Sequence, residues 1–167
     1  MLTGKNFSIT KTLTFDAGHR IPHHASKCRN VHGHTYELTV TVEGPLIFEG
    51  LSHADEGMVM DFGDLKIAMM EEIHDRWDHR FLKVETDDLF NLHEFATLKV
   101  GEPECLLGAL NEVSGIGIVQ ELLCVPTAEN LAYICHALLS RRLNKNGVTV
   151  TQVRLKETPT SIAQYPA

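Results

Sequence analysis

The chain has 167 residues, of which 43% are hydrophobic and 22% are charged, and its net charge is −7 with the histidines neutral. This length suits one domain with its own core, so we expect a single domain over residues 1–167. The acidic balance, with no run of lysine or arginine longer than a pair, disfavours binding to nucleic acid. No apolar run approaches the roughly 20 residues of a membrane-spanning helix, and the first residues lack a signal-peptide segment. We therefore expect a cytoplasmic protein that does not bind membranes.

The four cysteines indicate a reducing compartment. No two of them form a CxxC pair, and Cys124 and Cys135 lie in apolar surroundings that are typical of buried thiols. A disulfide framework is not expected.

The first predicted strand begins near Phe7. From there to Phe15 apolar residues alternate with serine and threonine, with Lys11 as the one interruption of the apolar parity. The same parity continued past Ala17 brings His19 onto the apolar face, close to the end of the strand.

A second strand follows the sequence Cys28-Arg29-Asn30-Val31-His32-Gly33-His34. From Tyr36 to Val42 apolar residues again alternate with polar ones, and His32 and His34 have the apolar parity. Two imidazoles on one strand face can hold a small cation, with Gly33 leaving room between them. The two strands are expected to be antiparallel, joined by the loop of residues 20–30.

His19, His32 and His34 together predict a zinc site, in which three histidines from two strand ends leave a fourth position open. A structural site closed by Cys28 is the alternative, and we disfavour it because closed sites usually contain more thiolates. The three histidines could also be core or rim residues bonded to the backbone. His23 and His24 in the loop are either spare ligands or, as we favour, solvated residues.

Helices are predicted in the middle of the chain. The spacing of apolar residues indicates a helix over residues 65–76, opened by Asp61 or by Gly63-Asp64, with Asp78 and His79 at its end. Pro103 can begin a short helix to Leu110, and residues 116–124 are predicted to be extended.

A second long helix is predicted after Pro126, with Thr127 as N-cap and Glu129 in the first turn. Asn146-Gly147 ends it, and two strands follow over residues 148–157 and 161–165. A break in parity within the first of these strands indicates either a bulge or two partly covered faces. The whole pattern predicts an α+β fold with an antiparallel sheet and its helices on one face.

Six motifs of the chain, in the expected order, resemble the 6-pyruvoyltetrahydropterin synthase superfamily, and within it the 6-carboxy-5,6,7,8-tetrahydropterin synthases of the queuosine pathway. The motifs are Phe15-Asp16-Ala17-Gly18-His19, Cys28-x-x-x-His32-Gly33-His34, Gly57-Met58-Val59-Met60-Asp61-Phe62, Asp78-His79-Arg80-Phe81-Leu82, Pro126-Thr127-Ala128-Glu129-Asn130 and Glu157-Thr158. They span nearly the whole chain. The least similar part is the run of residues 83–123.

The resemblance implies a tunnelling fold, in which each subunit supplies a four-stranded antiparallel sheet with two helices on one face. Trimers of such subunits close the strands into a barrel, and two trimers stack as a homohexamer. It also implies a Zn²⁺ ion held by His19, His32 and His34.

The resemblance further assigns roles to single residues. Cys28 matches the catalytic cysteine, and Asp78 and His79 match a dyad that assists it from a neighbouring subunit. Glu157 matches the carboxylate that grips the pterin ring. Thr127 and Glu129 fall in a motif expected to contact substrate, although Glu129 could equally serve only the helix dipole.

The implied reaction converts 7,8-dihydroneopterin triphosphate to 6-carboxy-5,6,7,8-tetrahydropterin and releases acetaldehyde and triphosphate. The three-residue gap between Cys28 and His32 resembles this branch of the superfamily. The alternatives are a 6-pyruvoyltetrahydropterin synthase, which eliminates triphosphate and keeps the side chain, and a non-catalytic zinc- or pterin-binding protein.

Overall fold

The structure is a computed structural model that describes residues 4–88, the backbone of 97–99, and residues 119–167. Its strands are β1 (Asn6–His19), β2 (His32–Pro45), β3 (Arg80–Val84), β4 (Thr97–Lys99), β5 (Val119–Leu122), β6 (Thr149–Thr158) and β7 (Ser161–Tyr165). Its helices are α1 (Phe62–Met69), a π-helical turn (Met70–His74), α2 (Asp75–Trp77) and α3 (Ala128–Leu143), and a 3₁₀ turn covers Lys27–Arg29. The short helix predicted from Pro103 to Leu110 lies outside the described residues.

The strands form one seven-stranded mixed sheet in the order β4-β5-β3-β1-β2-β6-β7. Strands β1, β2, β6 and β7 are antiparallel neighbours, as the sequence predicts. The expected four-stranded sheet is nevertheless wrong, because β3 adds to β1 in parallel and β5 and β4 continue beyond it. Strand β3 was missed because Lys83 interrupts its short apolar run. Lys83 is itself buried, and its Nζ donates to the Asp87 carbonyl at 2.8 Å and lies 3.4 Å from Glu121.

The register of the central strands brings the predicted site together. β1 and β2 pair along their whole length, with His19 opposite His32 and Ala17 opposite His34. The parity break in β6 is a bulge, since the register against β2 shifts between Thr41 and Val42. A second shift, against β7, lies between Lys156 and Thr158 and leaves Glu157 as the extra residue.

One face of the sheet packs on the helices and forms the core. Asp61 caps α1 by accepting a hydrogen bond from the Gly63 amide, and the predicted helix then runs without interruption through the π-helical turn to Trp77. Thr127 caps α3 as predicted, accepting a hydrogen bond from the Asn130 amide. Fully buried apolar side chains join the two layers, and they include Tyr36, Leu38, Val40, Leu65, Met69, Ile73, Trp77, Leu131, Ile134 and Leu138.

The opposite sheet face is polar. Threonine side chains of β1 and β2 pair there across the strands, Thr10 with Thr41 at 3.1 Å and Thr12 with Thr39 at 2.9 Å. Among the described residues no helix has the length and apolar character that crossing a membrane requires.

Candidate metal centre

His19, His32 and His34 converge where β1 ends and β2 begins. One ligand nitrogen of each lies within 4.8 Å of the others, and in the described part of the chain these three residues form the only such group. His19 is buried, and His32 and His34 are half-buried. The ring centroids are 4.5 Å apart for His19 and His32, 5.2 Å for His19 and His34, and 5.0 Å for His32 and His34.

Main-chain carbonyls orient two of these imidazoles. Nδ1 of His19 lies 2.7 Å from the Pro126 carbonyl oxygen, and Nδ1 of His32 lies 2.8 Å from that of Asn30. A carbonyl only accepts, so each Nδ1 donates its proton, and a neutral ring then presents the lone pair of Nε2 to the centre. This is the arrangement that second-shell acceptors give to metal-binding histidines.

Two buried ring nitrogens of the centre lack a hydrogen-bond partner. Nε2 of His19 and of His34 are buried and have no hydrogen-bond partner. The nearest charged atom is Oε1 of Glu157, 3.5 Å from Nε2 of His19 and 3.9 Å from Nε2 of His34. Buried acceptors that face one another are unfavourable unless a cation lies between them. The donor set, three imidazoles with a carboxylate beside them, fits a zinc ion.

The pKa shifts of His19 and His34 also favour metal binding. Burial lowers the pKa of His19 and of His34 below the usual value, although the nearby Glu157 carboxylate opposes the shift. The shift favours the neutral form of these two rings, which is the form that binds a metal ion.

Glu157 reaches the centre from the second register shift of β6, the one against β7. The Tyr36 hydroxyl lies 3.4 Å from its Oε1. Tyr36 is fully buried, and burial together with the Glu157 charge raises the pKa of its phenol. The hydroxyl therefore keeps its proton and can act as a donor to the carboxylate.

Cys28 lies in the 3₁₀ turn as a half-buried free thiol, outside the group of converging ligand atoms. The arrangement does not favour the alternative of a closed Cys–His site. The loop histidines are exposed, and Nδ1 of His24 accepts a hydrogen bond from the Ser26 amide, so they are also outside the centre. Cys124 and Cys135 are free thiols, and burial raises the pKa of each.

Asp78 and His79 form a hydrogen-bonded pair that is also hydrogen-bonded to the backbone of β1. Nδ1 of His79 lies 2.8 Å from Oδ2 of Asp78, Oδ1 of Asp78 accepts from the Asp16 amide at 2.9 Å, and the His79 amide donates to the Asp16 carbonyl at 2.6 Å. Burial acts to raise the pKa of Asp78, but these hydrogen bonds and the charges of His79 and His74 outweigh it and lower the pKa.

The backbone of His79 is left-handed, with φ of 57°, and its side chain is 79% exposed. Left-handed residues other than glycine are uncommon and are enriched at functional sites. In the described part of the chain, no hydrogen bond or ion pair joins the Asp78–His79 pair to Cys28 or to the three histidines. Within the described residues of one chain, Asp78 and His79 are thus bonded to β1 and not to Cys28 or to the metal-binding histidines.

The Pro126-Thr127 segment contacts the centre through its backbone. Pro126 supplies the carbonyl for His19, Thr127 caps α3, and Asn130 donates from its side chain to the Val125 carbonyl at 2.9 Å. Glu129 is exposed in the first turn of α3. The carbonyls of Asn30 and Pro126 could not be predicted, because no residue type signals a main-chain acceptor. Tyr36 was also missed, although its parity with His34 was a usable signal.

Two clefts open beside the histidines. One, of about 550 Å³, is lined by residues that include Asp16, Gly33, His34, His79 and Arg80. The other, of about 450 Å³, is lined by residues that include Gly33, His34, Lys156, Glu157 and Thr158. Both clefts share Gly33 and His34, so space for a small molecule adjoins the candidate metal position.

Several known proteins resemble this chain in sequence and in fold. A 6-carboxy-5,6,7,8-tetrahydropterin synthase of Haemophilus influenzae is 31% identical over 159 residues, covering 95% of this chain and 98% of that protein. One of Aquifex aeolicus is 33% identical, covering 95% of this chain and 97% of that protein. The solved 6-pyruvoyl tetrahydropterin synthase of Caenorhabditis elegans superposes with a TM-score of 0.63 at 22% identity, covering 99% of this chain and 98% of that one, and supports the tunnelling fold. The profile of the family described as 6-pyruvoyl tetrahydropterin synthase matches residues 8–167, and the chain belongs to that family.

Proposed function

We propose that this protein is a zinc-dependent lyase that converts 7,8-dihydroneopterin triphosphate and water to 6-carboxy-5,6,7,8-tetrahydropterin, acetaldehyde and triphosphate, in queuosine biosynthesis. The observation that carries the proposal is the cluster of three imidazoles, in which the buried Nε2 atoms of His19 and His34 have no hydrogen-bond partner and lie beside Glu157. The names of the relatives in Haemophilus influenzae and Aquifex aeolicus support the choice of product.

His19, His32 and His34 would hold the zinc, with the carbonyls of Pro126 and Asn30 keeping two of the rings in the required tautomer. When bound, zinc supplies Lewis-acid polarisation of side-chain oxygens of the substrate, which makes adjacent protons easier to remove.

Glu157 would fix the pterin ring. A carboxylate can accept two hydrogen bonds, from a ring N–H and from the exocyclic amine, and such bidentate pairs give both affinity and orientation. Its position beside the histidines then sets the distance between the ring and the metal position. We assign Thr127 and Glu129 to the substrate-binding rim: the Thr127 oxygen accepts from Asn130, which leaves its hydroxyl proton for a ligand.

Cys28, Asp78 and His79 would move the protons. Asp78 accepts from Nδ1 of His79, so Nε2 of the exposed ring is left to take or give a proton. Because no hydrogen bond or ion pair joins this pair to Cys28 within the described part of one chain, we propose that it serves the Cys28 of a neighbouring subunit. A homohexamer of two stacked trimers would provide that arrangement, and barrel closure would cover the exposed sheet edges.

The reaction products distinguish the candidate functions. Purified zinc-loaded protein incubated with dihydroneopterin triphosphate should release acetaldehyde and form 6-carboxytetrahydropterin, as measured by an aldehyde assay and mass spectrometry. Triphosphate release with the three-carbon side chain intact would place the protein among the pyruvoyl synthases instead. Binding of the pterin without turnover would support the non-catalytic alternative.

A further inference from the structure

We infer that Tyr36 is a positioning residue for Glu157: its phenol hydroxyl holds one carboxylate oxygen and thereby sets the direction in which the other faces the substrate. The inference rests on the proposed role of Glu157 in binding the pterin ring. Tyr36 is not a metal ligand, and it would act on the substrate only through the carboxylate.

Tyr36 is held rigidly beneath the site. It follows His34 by two residues on the same face of β2, and it is 0% exposed. Its ring stacks on Phe15 with centroids 5.2 Å apart, and it meets the edges of His34 at 5.6 Å and His19 at 6.0 Å. A phenol packed on three sides by rings holds its hydroxyl oxygen at a fixed position, so it can orient a neighbouring carboxylate.

Glu157 is the partner whose carboxylate must be oriented. Strands β2 and β6 pair Leu38 with Leu155 and Glu37 with Lys156, so one further step places Glu157 opposite Tyr36. Glu157 is also the extra residue of the bulge against β7, and bulges re-aim side chains near active sites. A glutamate at such a position has several rotatable bonds, and binding must offset the entropy of fixing them.

Three groups approach the same oxygen of Glu157. Oε1 lies 3.4 Å from the Tyr36 hydroxyl, 3.5 Å from Nε2 of His19 and 3.9 Å from Nε2 of His34. His19 has its proton on Nδ1, so its Nε2 is an acceptor, and Nε2 of His34, at 3.9 Å, lies beyond hydrogen-bonding distance. Within the described residues, the Tyr36 hydroxyl is therefore the hydrogen-bond donor available to Glu157. Anchoring Oε1 leaves Oε2 to meet the donors of a ring.

The test is Tyr36→Phe, which removes one oxygen and keeps the ring packing. The dissociation constant for neopterin, measured by its fluorescence, and the KM for dihydroneopterin triphosphate should each rise about tenfold, as expected for the loss of a hydrogen bond to a charged group. The zinc content should stay as in the wild type, because Tyr36 is not one of the proposed ligands. The matched control is Tyr133→Phe, which changes a half-exposed tyrosine that packs on Tyr165, and it should bind neopterin as the wild type does.

A double-mutant cycle separates positioning from a merely structural role. In a Glu157→Ala background, Tyr36→Phe should cause no further loss of neopterin affinity, because its only route to the substrate has been removed. Full additivity of the two losses would overturn the inference, and so would loss of zinc in Tyr36→Phe. Wild-type affinity in Tyr36→Phe beside weakened binding in Glu157→Ala would overturn the inference alone. A wild-type protein that neither binds neopterin nor turns over the substrate would overturn the proposed function and this inference with it.

Discussion

Removing metal from the three-histidine centre should lower the stability of the fold, in addition to abolishing turnover. Without a cation, Nε2 of His19 and Nε2 of His34 stay buried without a partner, beside an oxygen of Glu157. Each buried polar atom left unpaired costs about 1–3 kcal/mol. A bound ion relieves these costs only in the folded state, so the free energy of unfolding must rise with metal concentration.

The size of the effect can be worked out. Zinc at about one hundred times its dissociation constant adds about 2.7 kcal/mol to the free energy of unfolding. For a chain of this size, about 1 kcal/mol moves Tm by about 2–4 °C, so the expected rise is about 5–11 °C. Calorimetry of chelated protein with and without added zinc measures this shift, and elemental analysis should find about one zinc per chain.

The matched variants are His32→Ala and His53→Ala. His32 is half-buried, so its truncation leaves a smaller cavity than truncation of the fully buried His19 would. The His32→Ala variant should lose most of the zinc and most of the rise in Tm on adding zinc. His53 is exposed and pairs with Glu49 at 3.2 Å, outside the centre, so its variant should keep both. Stoichiometric zinc in His32→Ala, with an undiminished Tm shift, would refute the assignment of ligands.

Two further predictions follow from single residues. Cys28→Ala should keep zinc and bind neopterin but lose turnover, because the thiol lies outside the ligand group; loss of zinc would show a closed Cys–His site instead. Burial lowers the pKa of His136, even though the Val150 carbonyl opposes the shift. The unfolded chain therefore takes up this proton first, and stability falls as pH drops below about 6.5. His136→Gln should flatten the dependence of Tm on pH between about 7 and 5, and an unchanged slope would contradict the assignment.

Alternation along the chain predicted the part of the fold that carries the site. The period-two patterns of β1 and β2 placed His19, His32 and His34 on one face, and the register confirms that they meet. The cap at Thr127 was also predicted, and the bulge in β6 was one of the two interpretations of its parity break, because each feature leaves a local trace in the sequence. These features are encoded within a few residues of where they occur.

The features that were missed depend on distant partners. Strand β3 is buried against β1 and β5, and its Lys83 is tolerated there only because Asp87 and Glu121 lie beside the ammonium group. No residue type in Met70–His74 predicts the π-helical turn found there. The proposed action of Asp78 and His79 on Cys28 would need contacts between chains, which the pattern of one chain does not contain.

The two carbonyls that orient His19 and His32 have a consequence for how this centre can vary. A carbonyl oxygen belongs to every residue type, so no substitution at Asn30 or Pro126 can delete the acceptor itself. A substitution there can therefore disturb the acceptor only by changing the path of the main chain, and exposed Asn30 has the more room for a different side chain. At Pro126 the same oxygen directly precedes the cap of α3, so any drift in where that helix starts would turn the His19 ring.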